Sequence, residues 1–403
     1  MTFPRVQWAA VAVLVVLGLI ALKHTYGLMG RPDGNDLTVY LFQAWALAHG
    51  EDPYAPTLPA NAPVYPLALA TLLIPLTWVP AWAAQAIWFV TNVGALIGAL
   101  WLLDRLWRVT TAHPGQTPPL PFVIRLTGLV LVLALPLHSN LAHGQVNLLV
   151  LFVCCLFLRA QLSRRWLSAG LWLGLASALK VTPIVFVVAL LRERRYRALL
   201  ATGGSVILWA VVLPRLISDR VGALYGQEWL PSITRSLQEP VRFGRECRFT
   251  LAATLVRVWP TLARVPGLRY WAALAVLAPV VWLQGRAGRD ARLPFVVFSL
   301  YLLSMPLISP LSEQHHLVIL AAPIWCWVLM ASEKRPWRRV DIVGAVLFVS
   351  LHWLAARKLY ILDFVVLVGI YLALILRVAP RGHGMSDRGP ERQPSRRRAL
   401  PSR

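Results

Sequence analysis

WAAQAIWFVTNVGALIGALWLL, residues 82–103, contains no charged side chain. Its polar members are Gln85, Thr91 and Asn92. About 20 predominantly apolar residues carry an α-helix across the hydrocarbon core of a bilayer. A membrane β-strand would instead alternate apolar and polar residues. The stretch therefore reads as a transmembrane helix, closed by Asp104 and Arg105.

The same reading recurs on both sides of it. Apolar runs lie at 7–22, 122–137, 146–158, 166–178, 181–191, 198–216, 268–283, 295–308, 316–330, 340–354 and 361–376, and a shorter one bracketed by prolines at 66–78. The 403 residues are 58% hydrophobic and 14% charged, where soluble domains run about 45–50% and about 25%. These proportions exclude a soluble globular enzyme, a disordered chain, a coiled coil and a disulfide scaffold. The expected fold class is all-α, a polytopic transmembrane bundle of about twelve spans. Residues 1–378 form one integral membrane domain, and 379–403 a basic, disordered cytoplasmic tail. The run 7–22 has no small-residue cleavage site after it and reads as an uncleaved first span.

Lys and Arg number 40 against 17 Asp and Glu, a net charge of +23 with pI about 11.2. The excess sits in short loops and in the tail, as the positive-inside bias requires. No aromatic-interleaved basic face or reader motif supports a nucleic-acid partner. Arg192-Glu193-Arg194-Arg195-Tyr196-Arg197, the loops 286–292 and 334–339, and the tail should be cytoplasmic. The polar stretches 217–267 and 309–315 then lie outside. Arg164-Arg165 is inside again, so 166–191 is a hairpin with Lys180 at its outer turn. Residues 138–147 face outside, 104–121 inside, and both termini are cytoplasmic. This scheme puts 24–65 outside if 66–78 is re-entrant or interfacial. In the alternative, 66–78 spans and another segment before Arg159 does not. Arg357-Lys358 on the outside is an exception to the bias. Cys154 and Cys155 share one apolar run, Cys326 lies in another, and Cys247 stands alone in a polar loop. No Cys-x-x-Cys exists, so neither a disulfide framework nor structural zinc is expected.

Polar residues thus collect on the extracytoplasmic face, and ionisable groups at membrane depth are first read as functional. In the first outer loop Leu37, Tyr40, Leu41, Ala44 and Leu47 recur at helical spacing, an amphipathic helix lying on the membrane. Asp36 opens it. It is either the helix N-cap or a general base that takes a proton from a sugar hydroxyl. His143-Gly144-Gln145-Val146-Asn147 leads another apolar run, where Gln145 and Asn147 either bind phosphate or sugar oxygens or join helices. Lys180, flanked by apolar residues, either snorkels to the interface or pairs with a lipid-linked phosphate as its charge develops. Glu313-Gln314-His315-His316 invites a metal, but adjacent helical residues diverge by about 100°, unlike an i, i+4 pair. Hydrogen bonds from the imidazoles to phosphate or sugar are preferred, with no metal and no cofactor expected. Arg235, Arg242, Arg245 and Arg248 are either anion ligands or solvated charge. No phosphate-binding loop or nucleophile elbow is present.

In this order the pieces resemble glycosyltransferase family 87, integral membrane enzymes of the GT-C class that use polyprenyl-phosphate sugars, typically mannose. Asp36 and Tyr40, then Gly50 and Tyr54, match the start of its pattern. Tyr65-Pro66-Leu67 stands where Tyr-Pro-Pro is usual. Gly144, Gln145 and Asn147 match Gly-Gln-x-Asn. Arg164-Arg165, Ala169-Gly170, Lys180 and Pro183 match the basic turn, Ala-Gly and Lys-x-x-Pro. Ser309, Pro310, Ser312, His315 and His316 match the last segment, with Glu313 where tryptophan is frequent. The resemblance covers roughly 7–378. It implies Asp36 as catalytic base and donor-phosphate binding by polar residues near the outer face, a task assigned here to Lys180, Gln145, Asn147, His315, His316 and Tyr65. The resemblance does not fix the acceptor; the expected reaction is an inverting transfer at the outer face of the cell membrane to a hydroxyl of a lipid-linked or cell-envelope glycan. A transporter or flippase of a lipid-linked sugar is the competing reading; it accounts less well for polar residues concentrated on one face.

Overall fold

The computed structural model describes residues 3–29, 35–54, 66–111, 120–221, 225–231, 234, 249–285, 290–310, 312–331, 342–343, 346–347, 350 and 360–378. Among them the regular structure is helical, and no β-strand forms. The tail, Tyr65, Cys247 and the four arginines of 235–248 lie outside the described residues, as does most of the run 340–354.

Helices α1 (Phe3–Met29), α2 (Asp36–His49), α3 (Ala68–Leu73) and α4 (Ala81–Thr111) open the chain. The stretch quoted first lies inside α4, which continues for two further turns. Next come α5 (Phe122–Val132), α6 (Ala134–Ala142), α7 (Asn147–Leu162), α8 (Trp166–Leu179), α9 (Phe186–Arg192), α10 (Tyr196–Ile207) and α11 (Leu213–Ile217). The last described are α12 (Leu251–Val258), α13 (Leu268–Gly285), α14 (Leu293–Ile308), α15 (Ala321–Ala331) and α16 (Tyr360–Val378).

Among the described residues, five segments are long and apolar enough to cross a membrane: Pro4–Leu28, Ala81–Thr111, Tyr196–Ile217, Leu268–Gly285 and Gln314–Ala331. The protein is a multi-pass membrane protein. The count of about twelve spans is not reached on length alone, because several apolar helices stop short of the 20 or so residues a crossing needs. Among these are Asn147–Leu162, Trp166–Leu179 and Leu293–Ile308. The run 122–137 is not one straight helix. It breaks at Leu133 into α5 and α6, which meet at 81°. Pro136, in the first turn of α6, has no N–H to continue the ladder across the break. The run 66–78 becomes α3 and a 3-10 turn, Ile74–Trp78, together about 16 Å long at 1.5 Å per residue and too short to span.

Helix α14 is the centre of the bundle. All its residues from Leu293 to Leu307 are buried except Pro294, as expected of a helix apolar all round. Close approach of α8 to α10 depends on small residues. A Cβ at Gly170 would lie 2.2 Å from the Ala198 carbonyl oxygen, and one at Gly174 2.4 Å from Ser205 Cβ. Such small-x-x-x-small faces let backbones touch within a membrane, and Ser205 Oγ donates to Leu171 O at 2.9 Å. Helix α2 does not rest its apolar face on lipid. Leu37, Tyr40, Ala44 and Leu47 are buried in the main protein core.

One end of α4 is tied down by charge. Asp104 takes Arg125 of α5 and Arg108 at 2.6 Å each. Arg125 is buried, donates Nε–H to Leu120 O at 2.8 Å, and lies 4.7 Å over the Trp325 ring.

Candidate active site

The polar segments singled out in the sequence converge where α2, the α6–α7 turn, the end of α8 and the start of the Gln314–Leu320 3-10 helix meet. Local capping explains how Asp36 is presented. Asn35, not Asp36, is the N-cap of α2: its Oδ1 accepts the Thr38 N–H at 3.1 Å. Its Nδ2 donates to Gln85 Oε1 at 3.0 Å. The capping role open to Asp36 is thus filled by its neighbour, and the Asp36 carboxylate is left for other partners. Its backbone N–H donates to His143 O at 2.9 Å.

The α6–α7 turn that receives Asp36 depends on Gly144. Its φ is +66°, a region that favours glycine, and a Cβ there would lie 2.7 Å from Leu37 Cβ. Trp88 of α4 donates its indole N–H to Gly144 O at 2.7 Å. The next residue, Gln145, donates Nε2–H to Asp36 Oδ2. Tyr40, one turn along α2, donates its hydroxyl to Gln145 Oε1 at 3.4 Å. Gln145 is thus held by α2 at both ends of its amide.

Lys180 follows α8 in an extended conformation and is buried, 4% exposed. Its Nζ donates to Asn147 Oδ1 at 2.5 Å. Asn147 Nδ2 donates to Asn140 Oδ1 at 3.0 Å and to His315 O at 3.2 Å. A small cavity opens beside Lys180 and Asn147, with Thr182, Ser309 and His316 among its walls. On the other side of the cluster the His143 and His315 rings are 6.2 Å apart, and His315 and His316 4.3 Å.

The electrostatics follow from burial. Desolvation lifts the Asp36 carboxyl above the ordinary aspartate value, and the Gln145 hydrogen bond and the charges of His143 and Lys180 pull against it. Desolvation likewise pulls the Lys180 ammonium down to about 7, against the support of Asp36 and Glu313. Both charged forms are disfavoured by low dielectric and favoured by each other.

The structure therefore gathers Asp36, Gln145, Asn147, Lys180, His315 and His316. Tyr65 lies outside the described residues. Glu313, at the position where tryptophan was expected, caps the Gln314–Leu320 helix. Its N–H donates to His316 Nδ1 at 2.8 Å, and its Oε2 is 3.8 Å from His315 Nδ1. No group of three or more His, Cys, Asp or Glu is placed to hold a metal ion among the described residues. Sequence reading missed Asn140, whose Oδ1 orients Asn147 and whose buried Nδ2 has no partner among the described residues. The signal was present: Asn140 precedes Asn147 by seven residues in the same polar stretch. Tyr54 served only as a pattern match. Its hydroxyl meets Tyr225, which accepts the Leu67 N–H at 2.9 Å and so anchors the entry to α3.

Known proteins place this cluster in context. A phosphatidylinositol pentamannoside mannosyltransferase of Mycobacterium tuberculosis, named as polyprenol-phosphate-mannose-dependent and α-(1-2)-specific, is 29% identical over 84% of this chain and 76% of its own. Its namesake from Mycolicibacterium smegmatis is 29% identical over 81% and 76%. A phosphatidylinositol mannoside mannosyltransferase of M. tuberculosis, of the same donor dependence, is 28% identical over 85% and 80%. The profile of glycosyltransferase family 87 matches residues 64–310. That match takes in Asn140, Gln145, Asn147 and Lys180 and covers more than half of the chain, which therefore belongs to glycosyltransferase family 87.

Proposed function

We propose that this glycosyltransferase moves mannose from polyprenyl-phosphate mannose to a hydroxyl of a lipid-linked or cell-envelope glycan. Transfer takes place at the extracytoplasmic face and inverts the anomeric carbon. The observation that carries the reading is the placing of one carboxylate and one buried ammonium in neighbouring hydrogen-bonded pairs, Asp36–Gln145 and Lys180–Asn147, close enough to feel each other's charge. The donor class comes from the named relatives.

In this reading Asp36 accepts the proton of the acceptor hydroxyl, and Gln145 and Tyr40 fix the carboxylate's orientation. The acceptor oxygen forms its bond to the anomeric carbon as the bond from that carbon to the phosphate oxygen breaks. Polyprenyl phosphate departs, and Lys180 neutralises the charge it gains. His316 and Ser309, on the wall of the same cavity, supply hydrogen bonds to the phosphate. A single displacement needs one base. Retention would need a carboxylate nucleophile at the anomeric carbon, and in this reading Asp36 acts as the base instead.

The test is transfer in nanodiscs from radiolabelled polyprenyl-phosphate mannose to a membrane lipid extract, with Asp36→Asn alongside. The expected result is labelled glycolipid and released polyprenyl phosphate from the wild type, and neither from the variant. Label crossing between leaflets without donor cleavage would instead support the flippase reading.

A further inference from the structure

The helices that meet at Lys180 also meet at their other ends. There α7, α8, α9, α13 and α14 line a second, partly open cavity. Gln161, on its rim, is one length of α7 away from Asn147, about 20 Å at 1.5 Å per residue. A ligand here is remote from the sugar-transfer cluster, and this inference does not rest on the proposed reaction.

The lining has two characters. Leu158, Phe186, Val297 and Phe298 make an apolar floor, while Gln161, Glu193, Gln284 and Tyr301 make a polar side. The polar side is already ordered. Gln284 Nε2 donates to Glu193 Oε1 at 2.8 Å and to Ala189 O at 3.2 Å, and the Tyr301 hydroxyl donates to Gln284 Oε1 at 2.9 Å. None of these groups serves the chemistry at Asp36.

Two matching turns close this end. α7 ends at Ser163-Arg164-Arg165-Trp166 and α9 at Glu193-Arg194-Arg195-Tyr196. Arg164 and Arg194 are both left-handed, with φ of 54° and 55°, at the position helices usually give to glycine. The following N–H groups reach back alike, Arg165 to Ala160 O at 2.8 Å and Arg195 to Leu190 O at 2.9 Å. The Arg195 guanidinium lies 3.9 Å over the Trp166 ring and 3.4 Å from Glu193 Oε2. Arg195 so offsets the charge of Glu193, and exposed Arg164, Arg165, Arg192, Arg194 and Arg197 make the two turns beside the cavity strongly cationic.

We infer that this cavity binds an anionic glycerophospholipid. The phosphodiester lies against Arg165 and Arg195, the glycerol and headgroup oxygens meet Gln161 and Gln284, and one acyl chain enters the apolar floor. A ligand that is half hydrocarbon fits a lining that is half hydrocarbon, and arginine recognises phosphate through its planar array of donors. A soluble phosphate would use the rim and leave the floor empty.

The test uses the full-length protein in phosphatidylcholine nanodiscs doped with phosphatidylglycerol that carries a photoreactive diazirine on one acyl chain. Adducts are expected in the peptides 158–166 and 293–301. Unlabelled phosphatidylglycerol should compete, and phosphatidylcholine and free glycerol phosphate should not. Val297→Trp, which fills the floor, should cut labelling about tenfold, and Arg165→Gln with Arg195→Gln should do likewise. If Val297→Trp does not fold, Gln161→Trp on the half-exposed rim blocks the same space. The proposal is overturned if a phosphatidylcholine probe labels these peptides equally, or if adducts map elsewhere. It is overturned also if a filled variant that unfolds at the wild-type temperature labels like the wild type. Full competition by glycerol phosphate would assign the rim to a soluble anion and end the lipid reading.

Discussion

Asp36 and Lys180 are the two groups whose burial and mutual attraction most directly shape the proposed chemistry. A base works when ionised. Because burial lifts the Asp36 carboxyl above the usual aspartate range, turnover should fall as pH drops through that raised value. A charge-neutralising lysine works when protonated, and Lys180 loses its proton as pH rises through about 7. The expected profile is a narrow bell whose two limbs belong to the interacting pair. Lys180→Arg should remove the alkaline limb, since guanidinium stays protonated; kcat and kcat/KM across pH measure this. Persistence of that limb in an active Lys180→Arg would assign it to another group. Asp36→Asn should lower turnover about 10²–10⁴-fold, the usual worth of a positioned base. Its thermal unfolding should remain that of the wild type.

At the scale of elements, the site depends on how α2 docks on the α6–α7 turn. Gly144→Ala puts a methyl group 2.7 Å from Leu37 Cβ, so α2 must shift and carry Asp36 with it. Misplacement by about 1 Å costs on the order of 10²-fold in rate. The loss should appear in kcat more than in donor KM, because Lys180 and Asn147 do not belong to α2. Asn35→Ala should cost about 1 kcal/mol of stability through the lost cap, read from thermal unfolding in detergent. Much of this was legible beforehand. Hydrophobic runs located most of the described helices within a few residues, since apolar composition at membrane depth admits little but helix. Asp36, Gln145, Asn147, Lys180 and the histidines stood out as polar groups beside such runs. The break at Leu133 was not legible as a bend, because one proline near the end of an apolar run also suits a continuous helix with a kink. The burial of the α2 apolar face escaped too, since periodicity marks a face without saying whether lipid or protein covers it. Asn140 escaped because its role lies in orienting Asn147 across a turn.

For the molecule as a whole, the Asp104–Arg125 pair joins α4 to α5 and, through Trp325, to α15. Removing one partner, as in Arg125→Met, should destabilise by about 3–5 kcal/mol because it strands a buried charge. Arg125→Met with Asp104→Leu should recover most of that loss, and denaturation of the three proteins in one detergent would show it. Orientation can be read with cysteines, since Cys154, Cys155 and Cys326 are buried. In a Cys247→Ser background, Glu51→Cys should react with an impermeant maleimide on intact cells. Arg194→Cys should react only after the membrane is opened. The reverse pattern would turn the molecule over and move the proposed chemistry to the cytoplasm.

The shortness of α7 and α8 has a consequence for the membrane itself. With 16 and 14 residues, they reach about 24 and 21 Å, against about 30 Å of hydrocarbon. Of the two, α8 exposes Leu167 and Leu171, and a bilayer meets a short lipid-facing helix by thinning locally. The leaflet beside Lys180 should therefore dip, forming a shallow basin in the lipid surface. A phosphate carried on a long isoprenoid would slide down its slope to the lysine by lateral diffusion, with its chain immersed in oil throughout.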